Sequence, residues 1–84
     1  MISYQEIQNA YTLIQPHLVQ TPIVYSNTLS KLCGFETLFK LENLQMTGAF
    51  KERGALNKLL HLSKAEQATG VITASAGNHA QGVA

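Results

Sequence analysis

Cysteine is nearly absent from this 84-residue chain. Cys33 stands alone, so no disulfide can form within the chain, which fits a reducing compartment. Charge is scarce too: 13% of the residues are charged and they sum to +1. The six basic side chains are scattered, so nothing marks a surface for nucleic acid or for an anionic membrane. No apolar run approaches the ~20 residues that a membrane-spanning helix needs. Met1–Glu6 has no basic region followed by an apolar stretch, so no secretory signal is expected and a cytoplasmic location is read. Repeats, low-complexity tracts and linkers are missing. Apolar side chains, at 45%, are plentiful enough to build a core.

Local signals divide the chain into short elements. Ser3 and Glu6 have the spacing of a capping box, with Ile2 and Ile7 placed as a hydrophobic staple. Ile7, Ala10, Tyr11, Ile14 and Leu18 recur at threes and fours, which predicts a helix from about Tyr4 to Gln15, ended or kinked by Pro16. Thr21-Pro22 forces extended backbone into a strand at Ile23–Tyr25. Ser26 or Asn27 caps a brief helix through Cys33, and Gly34 is its left-handed stop.

Residues 37–42 alternate as a strand, and a polar loop follows over 43–48. A helix is predicted from about Phe50 to Leu62, with Leu56, Leu59 and Leu60 as its buried stripe. Ser63 and Glu66 repeat the capping box, and Gly70 closes that helix. Val71–Ala74 is a short β-branched run that predicts a buried strand, and a further helix begins near His79. Helices alternating with short strands predict an α/β fold with parallel strands and covering helices. Two or three strands cannot complete such a sheet, so the chain reads as a fragment, incomplete as given.

Two loops carry candidate chemistry. Residues 47–54, Thr-Gly-Ala-Phe-Lys-Glu-Arg-Gly, form a glycine-bracketed turn into a helix, with Lys51 at its entry. A lysine amine becomes a nucleophile or base when burial or a nearby cation disfavours its charge. Arg53 is two residues away, a spacing at which helical side chains point apart. On residue chemistry alone, a solvated lysine at a helix start is the commoner origin of such a pattern. Residues 75–82, Ser-Ala-Gly-Asn-His-Ala-Gln-Gly, turn from the predicted strand into a helix and expose unpaired N–H groups, which suits a carboxylate or phosphate. A plain connection with Asn78 as helix cap explains the pattern equally well.

Other chemistries find little support. No Gly-Lys-Ser/Thr follows the glycines, and the dinucleotide glycine pattern is missing. His17, His61, His79 and Cys33 have no metal-ligand spacing, so no metal site is expected. Cys33 falls at a helix C-terminus, where the dipole opposes a thiolate. Glu42 at a strand end and Glu52 on a helix show no sign of converging as a catalytic pair.

The run Lys40-Leu41-Glu42-Asn43-Leu44-Gln45-Met46-Thr47-Gly48-Ala49-Phe50-Lys51-Glu52-Arg53-Gly54-Ala55 closely resembles the cofactor-lysine segment of the fold-type II (tryptophan synthase β-like) pyridoxal-phosphate enzymes. Residues 75–82 look like the asparagine loop of the same superfamily, with the Asn-His pair typical of its threonine/serine dehydratase and serine racemase branch. The resemblance covers most of the chain and is weakest over the first twenty or so residues. It implies that 1–84 is the N-terminal fragment of a catalytic domain, with about 1–50 as a leading segment and about 51–84 as the start of the lysine and asparagine-loop region.

By that resemblance Lys51 bonds to the aldehyde of pyridoxal 5'-phosphate and later takes the substrate's Cα proton. Phe50 packs beside the cofactor ring and Asn78 hydrogen-bonds the ring hydroxyl oxygen. Ser75, Ala76 and the amides around Gly77, Asn78 and His79 hold the substrate carboxylate. The implied reaction is dehydration and deamination of L-threonine, and of L-serine, to a 2-oxo acid and ammonia. Serine racemases carry a second serine where this chain has Ala76, which favours elimination over racemisation. The family's phosphate-binding glycine loop and ring-nitrogen partner fall beyond Ala84. The 84 residues alone are therefore expected to be inactive, and a non-catalytic folding or interaction segment is the reading from a different class. An amino-acid substrate and a homo-oligomeric full-length protein are also implied.

Overall fold

The computed structural model describes all 84 residues, Met1–Ala84. Helix α1 spans Tyr4–Ile14 and opens on the expected capping box: the Ser3 hydroxyl accepts from the Glu6 N–H, and Glu6 accepts from the Ser3 N–H. Pro16 narrows the chain into a 3₁₀ turn over Gln15–His17 rather than stopping it dead. Strand β1 (Ile23–Tyr25) follows, then α2 (Asn27–Cys33), capped by the Ser26 hydroxyl and stopped by Gly34 at φ 77°. That left-handed turn is where glycine is required.

Strand β2 (Leu38–Lys40) pairs with β1, placing Ile23 opposite Lys40, Val24 opposite Phe39 and Tyr25 opposite Leu38. The pairing is antiparallel, and this corrects the parallel pairing expected for these strands. Gly34 sends the chain straight back, and Thr37 docks on the start of its own connection. The Thr37 N–H donates to the Ser30 hydroxyl at 2.9 Å, and its carbonyl accepts from the Ser26 N–H at 2.9 Å. Strand β2 thus begins where β1 ends, and an antiparallel ladder is the only one available.

Helix α3 spans Lys51–Leu60, α4 spans Lys64–Thr69 and α5 spans Asn78–Val83. The capping box of Ser63 and Glu66 forms at α4, and Gly70 closes it at φ 86°. A second expectation fails at Val71–Ala74, which forms no strand and pairs with nothing. Ile72 there is 101% exposed. A β-branched run becomes a strand only against a partner, and no other strand lies beside it.

Helix α3 packs against both α1 and α5. The buried apolar side chains are Ile14, Ala49 and Ala55, with Leu56 and Leu59 half-buried and Leu60 exposed. The radius of gyration is 16.0 Å, whereas a closed domain of this length would have about 12 Å. These residues form one open layer around α3.

Candidate functional site

The loop entering α3 is shaped by Gly48, at φ 78°, whose N–H donates to the Gln45 carbonyl at 2.9 Å. Ala49 is buried behind it, and Phe50 occupies the cap position with no side-chain hydrogen bond. Lys51 is the first residue of α3. It is exposed, it makes no ion pair, and its Nζ lies 5.1 Å from the centroid of the Phe50 ring. An amine at that distance from a ring face is within cation–π range.

The asparagine turn reaches the same region through α5. Gly77, rather than Asn78, caps this helix, and the Gly77 N–H donates to the Ser75 hydroxyl at 3.2 Å. The N–H groups of Asn78 and His79 donate to no other protein group. Helix α5 lies close along α3 because of Gly82. A Cβ at that position would stand 3.3 Å from the Ala55 Cβ and 3.4 Å from both the carbonyl carbon and oxygen of Lys51. Only hydrogen fits there without something shifting.

This crossing makes an open depression of about 360 Å³ lined by Phe50, Lys51, Arg53, Gly54, Ala55 and His79. The structure therefore brings Lys51 and His79 to one concavity. Ser75, Ala76, Gly77 and Asn78 are exposed on the turn beside it and do not line it. A larger depression, about 490 Å³, lies between Ile2, Ile7, Asn57 and His61 and contains neither motif. Size is outweighed here by chemistry, since only the smaller one holds a free primary amine.

A flat aldehyde cofactor fits the residues present. The Lys51 amine is exposed and unpaired, an aromatic ring lies beside it, and the depression opens to it. One turn earlier, the Thr47 Oγ1 is buried with no hydrogen-bond partner, an orphan that a polar ligand group could satisfy. No three His, Cys, Asp or Glu side chains lie together as metal ligands. Cys33 is exposed at the end of α2, and the His61 Nδ1 lies 2.6 Å from the Asn57 carbonyl at the end of α3.

Sequence reasoning missed the polar cluster behind Lys51. Glu42 pairs with Arg53, not with Glu52: its Oε1 accepts from the Arg53 Nε, and its Oε2 accepts from Nη2 at 3.2 Å. The Thr21 hydroxyl donates to Glu42 Oε2 at 2.7 Å, and the Gln45 amide nitrogen does so at 3.2 Å. Gln45 also exchanges two hydrogen bonds of 3.0 Å with the Val19 backbone, and the Lys40 amine donates to the Thr21 carbonyl at 2.5 Å. Thr21 and Gln45 are buried. One signal could have found this cluster. Lys51 and Arg53 put two cations in the first turn of α3, where the helix dipole disfavours them.

Hydrogen bonding from Arg53 holds the Glu42 carboxyl at about 2, down from the ordinary 4.5, helped by Thr21 and Gln45 and opposed by burial. A depressed carboxyl favours the fold when ionised in both states and loses that advantage once the folded form is protonated. Its contribution is therefore complete above about pH 5 and declines as pH falls from about 4.5 towards 2. Melting temperatures measured between pH 6 and 2 should fall less steeply for Glu42→Gln than for the unmodified chain. Glu6 and Glu66 are also lowered by their capping hydrogen bonds, so the difference between the two curves isolates Glu42.

Residues 14–84 match the family described as pyridoxal-phosphate dependent enzyme. The chain is 50% identical, over all 84 residues, to the L-threonine ammonia-lyase of Thermotoga maritima, of which it covers 21%. The crystal structure of serine racemase from Dictyostelium discoideum superposes with a TM-score of 0.88 at 40% identity, covering 98% of this chain and 27% of that one. The crystal structure of the T.th. threonine deaminase superposes with a TM-score of 0.74, also at 40% identity, covering 98% and 29%. The chain thus spans between about a fifth and three tenths of these relatives' length. Its α/β arrangement matches that of the fold-type II pyridoxal-phosphate enzymes. With only the stretch before Ile14 outside the match, the chain belongs to the pyridoxal-phosphate dependent enzyme family.

Proposed function

We propose that this chain is the lysine-bearing part of a pyridoxal-phosphate-dependent L-threonine dehydratase that also accepts L-serine. The observation that carries the reading is the placement of a free Lys51 amine and the His79 end of the asparagine turn on one depression, in a chain of this family. When bound, the cofactor withdraws charge from the amino acid's Cα. Lys51 would hold the cofactor aldehyde through Nζ, and the same nitrogen, when free, would accept the Cα proton.

Phe50 would pack beside the cofactor ring, and Asn78 would hydrogen-bond its hydroxyl oxygen. The Ser75 hydroxyl and the N–H groups of Gly77, Asn78 and His79, with Ala76 between them, hold the substrate carboxylate. The free Asn78 and His79 N–H groups support this role. Helix α5 has only six residues, so these direct donors matter more than its dipole. The β-hydroxyl leaves as water, water returns in hydrolysis, and the products are 2-oxobutanoate and ammonia.

About 1–50 act as a leading segment and about 51–84 as the start of the lysine and asparagine-loop region of the catalytic domain. A cytoplasmic homo-oligomer is the expected setting; no helix is long and apolar enough to cross a membrane. The 84 residues alone are read as inactive, and their open shape supports this.

Serine racemase is the second reading, because the 0.88 superposition exceeds that on the threonine deaminase. Ala76 opposes it, having no proton to return to the opposite face of Cα. Feeding L-threonine and L-serine separately to the enzyme that carries this segment distinguishes the two. We expect 2-oxobutanoate and pyruvate respectively; D-serine as the main product, with little pyruvate, would overturn the dehydratase reading.

A further inference from the structure

The first turn of α3 breaks local rules. Its cap residue, Phe50, contributes no side-chain hydrogen bond, and two of its first three residues are cations at the positive end of the helix dipole. The one acid there, Glu52, keeps a buried Oε2 with no partner, so it supplies no cap either. Left to itself, such a turn would fray, and Lys51 is its first residue. Something outside the helix has to hold it.

We infer that the Glu42–Arg53 pair, braced by Thr21 and Gln45, is a positioning device that fixes the first turn of α3 and thereby aims the Lys51 amine. Arg53 leaves the helix about 200° around from Lys51 and, although it borders the same depression, its guanidinium is held by Glu42, so it steers the lysine by setting the roll of the turn. Its two contacts reach both oxygens of one carboxylate, a fork that fixes direction as well as distance. Glu42 is itself prevented from swinging. Thr21 and Gln45, each 4% exposed, donate to its Oε2, and Gln45 is locked to the Val19 backbone by an exchanged pair of hydrogen bonds. Three stretches thus meet at one carboxylate: 19–21, 42–45 and the start of α3.

The pair is not chiefly a source of stability. Its side chains are 30% and 14% exposed, so solvent screens part of what the pair adds to the fold. Geometry is the larger effect, because a reacting amine displaced by about 1 Å can cost about 10²-fold in rate.

The inference rests on Lys51 being the cofactor lysine, and the test separates the two ideas. Arg53→Met, Arg53→Lys and Glu42→Gln are made in the enzyme that carries this segment, loaded with pyridoxal phosphate. Induced circular dichroism of the bound cofactor's visible band reports its orientation independently of turnover. We expect each variant to weaken that signal and to lower kcat about 10-fold or more, with KM for L-threonine changed less than about 3-fold. Arg53→Lys keeps the charge without the fork and should recover only part of the loss.

The double variant Glu42→Gln/Arg53→Met should be no worse than the poorer single one, the signature of one shared interaction. Variants with a lower Tm but unaltered dichroism and kcat per folded, cofactor-loaded molecule would reduce the pair to scaffolding and overturn the inference. If instead the unmodified protein takes up cofactor at a residue other than Lys51, it is the functional reading that falls.

Discussion

Replacing Lys51 with alanine should lower 2-oxobutanoate formation from L-threonine at least about 10³-fold in the enzyme that carries this segment. Two roles vanish together, since the same nitrogen holds the cofactor and accepts the Cα proton. The visible absorbance of lysine-bound cofactor should disappear, while the far-ultraviolet spectrum of the protein stays as it was. That spectrum matters because Lys51 is exposed and makes no ion pair, so its removal leaves no unpaired group behind. Lys51→Arg sharpens the result: it keeps a cation at the helix start but offers no primary amine, and it should be as inactive as alanine. Turnover at the normal rate by either variant would place the reactive amine elsewhere.

The second large effect is expected at Gly82, a residue that contributes no chemistry. Helix α5 approaches α3 so closely that even a methyl group would meet the Ala55 Cβ at 3.3 Å and the Lys51 backbone at 3.4 Å. Valine adds two further carbons and must push α5 away. Overpacking of this kind costs about 1–3 kcal/mol. The functional loss should be larger, about 10²-fold in kcat/KM for L-threonine, because the 75–79 turn travels with α5 and leaves its place beside Lys51. Gly82→Ala is the graded control, since a shift of a few tenths of an ångström could admit it. Adding Ala55→Gly should restore part of the loss by removing the nearest contact, and only part, because the Lys51 carbonyl still faces the new methyl. Full activity in Gly82→Val would show that the close crossing is dispensable.

The features legible in the sequence were those decided within a few residues. Both capping boxes formed where Ser3/Glu6 and Ser63/Glu66 predict them, because donor and acceptor are three residues apart. Gly34 stopped α2 for the same local reason. Features that needed a distant partner were harder to read. Val71–Ala74 has the residues of a strand, but pleated pairing requires a neighbour. The antiparallel ladder depended on Thr37 folding back onto Ser26 and Ser30, which no periodicity reveals.

At the site, the Lys51 and asparagine motifs were recognisable as residue patterns, whereas the Glu42–Arg53 pair spans eleven positions and is set by tertiary packing. The leucine stripe predicted for α3 is only half-buried at Leu56 and Leu59 and exposed at Leu60. Ala55, small enough to lie against Gly82, became the buried residue instead.

The β1–α2–β2 excursion has a consequence for how the chain takes shape during synthesis. Its widest ladder pair, Ile23 with Lys40, closes a short loop, and its inner contacts join residues seven and eleven apart. Loops this small close quickly and at modest entropic cost. The hairpin-like unit can therefore order as soon as it clears the ribosome, while Lys51 is still inside the exit tunnel. Glu42 would then already sit at the end of a formed element, and the lysine helix would arrive to find its anchor waiting.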